Sequence, residues 1–214
     1  MRAAAFARYE GAFGLGHVGW GFDFDAAGAD CGSVENPSGL PYCPPAAMGF
    51  WDKRSNDPVS PMKDYKYIDA KYVDLDEADP QKAYAVVLWV SQQPYLVLRR
   101  NCLDDVYDVL RAYGVPDLPP PSHDWNPNEW FGLWIAGPTY VHLDEFNWGD
   151  RPAKHIAAMA TLASPARLGD VKPEAPPWRV VGSPEFEDLQ AQLAQVSSNA
   201  SIRRHAARYY EMKA

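Results

Sequence analysis

Residues 17 to 24 read His-Val-Gly-Trp-Gly-Phe-Asp-Phe, and this alternation constrains the fold more than any other stretch of the chain. A period of two puts Val18, Trp20, Phe22 and Phe24 on one face of a half-buried β-strand. His17, Gly19, Gly21 and Asp23 take the other face, with His17 at the strand's start. The glycines leave that second face unobstructed, so a neighbouring chain or ligand has room to approach it.

Residues 3 to 9 form a second apolar stretch, and Tyr65 to Leu75 read as one or two further strands. Asp79-Pro80 opens a helix, because Asp caps free amides and Pro suits the first helical position. That helix runs to about Gln93 and stops before Pro94, although Val86, Val87 and Val90 would suit a strand equally well. Asn101 caps a clearer helix, with Leu103, Val106, Tyr107 and Leu110 at helical spacing. Asp104 and Asp105 complement its dipole, and Gly114 with Pro116 ends it. Thr139 to Leu143 reads as a short strand, and Glu185 to Val196 and Ser201 to Met212 as helices.

The 214 residues fit one generous domain, or one domain with an appendage. Residues 1–150 carry 11 basic and 22 acidic side chains, net −11, whereas 151–214 carry 9 and 6, net +3. With Pro173, Pro176 and Pro177 as punctuation, this divides a main domain (1–150) from a mostly helical C-terminal extension (151–214). The overall charge of −8 argues against a phosphate-tracking nucleic-acid binder. No apolar run approaches the roughly 18 residues of a membrane span. Arg2 is not followed by a long apolar stretch, so no secretory signal is expected and a cytoplasmic location is.

The three cysteines cannot all pair within one chain. Cys31 and Cys43 either form a disulfide or stay free. Cys102 is the one placed for chemistry, since the first turn of a helix offers unpaired amides and a positive dipole end that stabilise thiolate. Arg99 and Arg100 add to that potential, while Asp104 and Asp105 oppose it. The alternative is a packing cysteine, the usual fate of this residue type. A thiol at a helix start together with an imidazole on an adjoining strand, oriented by a third polar group, is the constellation of papain-type catalysis. Here the strand-borne His17 comes first and Cys102 follows 85 residues later.

Gly16-His17-Val18-Gly19-Trp20 and Arg100-Asn101-Cys102-Leu103 resemble the motifs of the circularly permuted papain-like hydrolases of the NlpC type and their lecithin:retinol acyltransferase-like relatives. The resemblance covers roughly residues 5 to 115. It implies an α+β fold, an antiparallel sheet packed against the helix bearing the Cys, with the helical extension appended. It also implies Cys102 as nucleophile and His17 as general base. The family places a third polar residue on the strand after the His strand. Glu35 is the choice here, because it alternates with Val34 and Ser33 as a strand would, with Asn36, Asp23 and Asp52 as alternatives.

Trp20, Trp125, Asn126 and Trp130 are the candidate substrate-lining residues. The stretch His123 to Phe131 reads as a loop that either borders a groove or is pinned to the core by its Trp side chains. No metal or cofactor is expected, since Cys31 and Cys43 lack further ligands at zinc spacing. Gly11, Gly14 and Gly16 lack the Lys-Ser/Thr ending of a phosphate loop. The expected activity is cysteine-dependent hydrolysis of an amide or ester bond in a small-molecule, peptide or lipid acyl substrate. The alternatives are acyl transfer by the same thiol, or a binding or assembly module without turnover. Arg203, Arg204, Arg208 and Lys213 make the extension either an ordinary amphipathic helix with a solvated basic face or a contact for the acidic domain, for a twin subunit in a homo-oligomer, or for a partner.

Overall fold

The computed structural model describes residues 1–10, 14–25, 28–97, 99–122, 126–150 and 171–198, with side chains as far as 195. Six strands form one antiparallel sheet: β1 (Arg2–Arg8), β2 (His17–Asp25), β3 (Gly28–Glu35), β5 (Gly49–Ser55), β6 (Asp69–Asp74) and β8 (Thr139–His142). Their order is β5-β3-β2-β1-β6-β8, and every neighbouring pair runs antiparallel. A two-stranded ribbon joins β4 (Tyr42–Cys43) to β7 (Tyr95–Leu96). The fold is therefore mixed α+β.

Each face of the sheet is covered by a different layer. Val18, Trp20, Phe22 and Phe24 of β2 and Ala3, Ala5 and Ala7 of β1 pack under α2 (Pro80–Val90) and α3 (Cys102–Tyr113). On the reverse face Ala4, Phe6 and Cys31 pack against Val59 and Met62 of α1 (Val59–Asp64), together with Tyr67, Phe146 and Trp148. The glycine face of β2 is thus not open. A Cβ on Gly19 would lie 3.1 Å from the Tyr67 hydroxyl, and one on Gly21 would lie 2.7 Å from the Phe6 ring. The glycines make room for the protein's own second layer rather than for a ligand.

The helix starts follow their local chemistry. Asp79 accepts from Lys82 N–H at the head of α2, and Asn101 forms a reciprocal capping box with Asp104 at the head of α3. Gly114 closes α3 in the left-handed conformation at φ 106°. Within and just beyond the stretch read as a loop, residues 127–133 form α4 (Pro127–Leu133), opened by an Asn126–Glu129 capping box. Lys71 Nζ reaches from β6 to the far end of that helix and donates to the carbonyls of Phe131, Gly132 and Trp134.

Beyond residue 170 the chain docks on α3. Trp178 Nε1 donates to Asp108, Arg179 holds Asp108 through both carboxylate oxygens, and Arg179 Nη2 reaches Asp104 at 2.9 Å. From the other side Arg100 pairs with Asp105 and Asp108. Helix α5 (Pro184–Ser198) follows and buries Leu189 in the same core as α3. The helix expected over 201–212 lies outside the described residues.

Candidate active site

Cys102 is the first residue of α3 and His17 the first of β2. They approach the sheet from opposite faces, Cys102 in the helical layer and His17 with the reverse-face cluster that includes Tyr67. What brings their surroundings together is an opening in the sheet. The β2–β3 pairing ends at Trp20↔Gly32, while β3 continues along β5 as far as Glu35↔Gly49. Val18 therefore has no β3 partner for its main-chain groups. Its N–H favours the thiolate form of Cys102, and its carbonyl accepts from Ser33 Oγ at 3.4 Å. The residue next to His17 thus acts on the nucleophile candidate.

His17 Nε2 lies 2.7 Å from Ser33 Oγ. The tautomer decides whether that nitrogen donates to the hydroxyl or accepts from it, and the hydroxyl also lies within reach of Val18 O. Behind Ser33, Glu35 Oε1 stands 3.8 Å from the same Nε2 and 3.2 Å from Arg8 Nη2. Arg8 is the β1 partner of His17 in register, so its side chain crosses the end of β2 to reach that carboxylate. The direct hydrogen bond on the ring is accordingly made by Ser33. Glu35, the sequence-based choice for the third position, stands one layer further out and is shared with Arg8. Asp23 bonds Arg2 N–H and Trp148 Nε1 in the core, away from His17.

Tyr95 and Tyr67 complete the surroundings. Tyr95 and Cys102 influence each other's ionisation: Tyr95 favours the Cys102 thiolate, and burial, with a Cys102 charge adding to it, raises the Tyr95 hydroxyl. The ring of Tyr67 is centred 6.0 Å from that of His17, and the charge of a Cys102 thiolate would reach its hydroxyl. Neither tyrosine carries a motif in the sequence. Ser33 does leave a signal there, since it shares strand parity with Glu35 and therefore the same face.

The electrostatics describe a neutral pair. Burial, with the Arg8 charge adding to it, lowers the His17 pKa to about 3. Burial likewise pushes the Cys102 thiol up to about 12, against the stabilising hydrogen bonds from Val18 and Tyr95, while Asp105 and Asp104 push further upward. The side chains are 4% and 1% exposed, respectively. At rest the site therefore holds a thiol and an imidazole, not a thiolate–imidazolium pair.

The candidate substrate-lining residues lie elsewhere. Trp20 and Trp130 are fully buried, their indole N–H groups donating to Asp30 and the Pro119 carbonyl. Both are core residues, and Asn126 is the cap of α4. Trp125 lies outside the described residues. Cys31 and Cys43 are free, buried thiols, so no disulfide joins them. Among the described residues no cluster of three metal-ligating side chains occurs, and no helix is long and apolar enough to cross a membrane.

No family model, curated protein or solved structure matches this chain.

Proposed function

We propose that the protein is a cysteine-dependent hydrolase of amide or ester bonds, built on a circularly permuted papain-like scaffold. The observation carrying this reading is that Val18, whose N–H favours the Cys102 thiolate, is the chain neighbour of His17, whose ring hydrogen-bonds Ser33 at 2.7 Å. A thiol at a helix start, an adjoining imidazole and an orienting hydroxyl supply nucleophile, base and tautomer control.

The chemistry follows from these roles. As Cys102 attacks the substrate carbonyl, a C–S bond forms, and the thiol proton must pass to His17 through the opening in the sheet beside Val18. The Cys102 amide, at the unpaired start of α3, would supply a donor to the oxyanion. Collapse breaks the C–N or C–O bond, and His17 returns the proton to the leaving group. Water then attacks the thioester, His17 takes its proton, and cleavage of the C–S bond releases the acid and restores the thiol. An amine or alcohol in place of water would make the same site an acyltransferase.

The test is turnover of a panel of fluorogenic amides and esters by the full chain. Cys102→Ala should abolish acyl-enzyme formation and lower turnover by at least about a thousandfold. A Cys102→Ala protein with full activity on every substrate the parent accepts refutes the reading.

One observation favours a second reading, a binding scaffold without turnover: Cys102 is 1% exposed and neutral at rest. Intact-mass analysis with a thiol-reactive acyl probe separates the two. A catalytic site gives an acyl adduct on Cys102 that disappears in His17→Ala. A scaffold gives neither adduct nor His17 dependence.

A further inference from the structure

We propose that the pocket lined by Arg8, Tyr9, Glu10, Lys66 and Ile68 is the substrate subsite, and that it binds a carboxylate borne by the acyl substrate next to the scissile bond. This rests on the hydrolase reading and adds a substrate class to it. The pocket has a volume of about 430 Å³, which suits an amino-acid-sized group. Its position ties it to the chemistry. Arg8 is paired in register with His17, and its guanidinium contacts the same Glu35 oxygen that stands 3.8 Å from the His17 ring.

The charge on the lining points to an anion. Arg8 donates Nη1 to the Tyr65 carbonyl and Nη2 to its counter-ion Glu35, while its Nε is buried with no hydrogen-bond partner among the described residues, so the further cation on the lining is Lys66. Lys66 is exposed and makes no ion pair among the described residues. It sits at φ 64°, in the turn after α1 where Lys66 N–H bonds Lys63 O and Tyr67 N–H bonds Met62 O. Helix-ending turns of this kind ordinarily use glycine. The chain instead holds a lysine there in a conformation that L-residues disfavour, and its stem shares the pocket with Ile68, an isoleucine 42% exposed. Backbone strain kept at a position bearing a charged side chain fits a ligand clamp. Glu10 lies on the same lining and opposes an anion, so it limits affinity.

Binding to the full-length Cys102→Ala protein, followed by NMR titration, tests this without turnover. N-acetylglycine supplies the carboxylate, and N-acetylglycinamide is its neutral counterpart. The acid should bind and shift the amides of residues 8–10 and 66–68, and the amide should not. Lys66→Gly should weaken the acid about tenfold while raising Tm by roughly 2–4 °C, since glycine accepts the positive φ. Glu10→Gln should tighten it about two- to threefold. Equal binding of the two probes, or unchanged affinity in a stably folded Lys66→Gly protein, overturns the subsite. Turnover by the parent protein stands apart from this outcome. A protein that hydrolyses amides yet ignores N-acetylglycine refutes the subsite alone, and one that binds it in this pocket without turning over any substrate refutes the hydrolase.

Discussion

Acid should destabilise this fold through one side chain, His17. Its ring is held neutral by burial, with a pKa of about 3 against an ordinary 6.5. As pH falls through 6.5 the unfolded chain takes up a proton that the folded protein refuses until about pH 3. The contribution is therefore intact above 6.5 and lost on acidification. Going from about pH 7.5 to about pH 5.5 the loss amounts to about 1.4 kcal/mol, and at pH 3 it reaches roughly 4 kcal/mol. Two carboxyls run the other way. Asp30 and Asp105 are raised by burial from 3.8 to about 7, so each holds a proton in the folded state that the unfolded chain releases. Their contribution is present at low pH and lost as pH rises, by about 2 kcal/mol each over the same interval. The wild-type profile thus mixes opposing signs, and the decisive quantity is a difference. Urea unfolding of the parent and of His17→Gln, whose amide can still donate to Ser33, should be measured at both pH values. The variant should lose about 1.4 kcal/mol less on acidification. Identical pH dependence of the two proteins, or an NMR titration of the His17 ring centred near 6.5, would refute the reasoning.

Other outcomes follow from the same contacts. In the absence of substrate, Cys102 should react with iodoacetamide at neutral pH more than about a hundredfold slower than a free model thiol, because its thiol is pushed up to about 12. Stopped alkylation followed by mass spectrometry checks it. Asn101→Ala removes the α3 cap and should cost about 1 kcal/mol in chemical unfolding. Arg179→Met leaves Asp104 and Asp108 buried with Arg100 as their nearest remaining cation, and should cost about 3 kcal/mol or more. A Gly32→Ala protein should express poorly or unfold at low denaturant, since the added Cβ would stand 2.5 Å from both the Trp20 ring and the Trp51 carbonyl.

What could be read from the sequence was whatever is fixed by near neighbours. Asn101, Asp104 and Gly114 bracket α3 through bonds spanning three or four residues, so the helix was readable from its own ends. The alternation in β2 assigned its two faces correctly, but the covering of the glycine face depends on Tyr67 and Phe6, which no local pattern announces. Helix α4 was missed although Asn126, Pro127 and Glu129 spell its capping box, because two Trp in a polar stretch suggested a loop. Strand β5 is an edge strand whose partly exposed sequence lacks a clean period. At the site, His17 and Cys102 stood out by position. Ser33, Tyr67 and Tyr95 did not, because their roles arise only where β2 and β3 part.

The tie between Arg179 and Asp108 spans 71 residues of chain. On a ribosome adding about 5–20 residues per second, α3 is complete for roughly 3–13 s before Arg179 has been made. During that interval the acidic flank of the Cys102 helix has Arg100 but lacks its second arginine and the Trp178 lid. The nucleophile candidate therefore reaches its final electrostatic setting only after Arg179 has joined the fold. A nascent chain halted before residue 177 should carry a Cys102 helix that exchanges its amide hydrogens freely, and one extended past Arg179 should protect them.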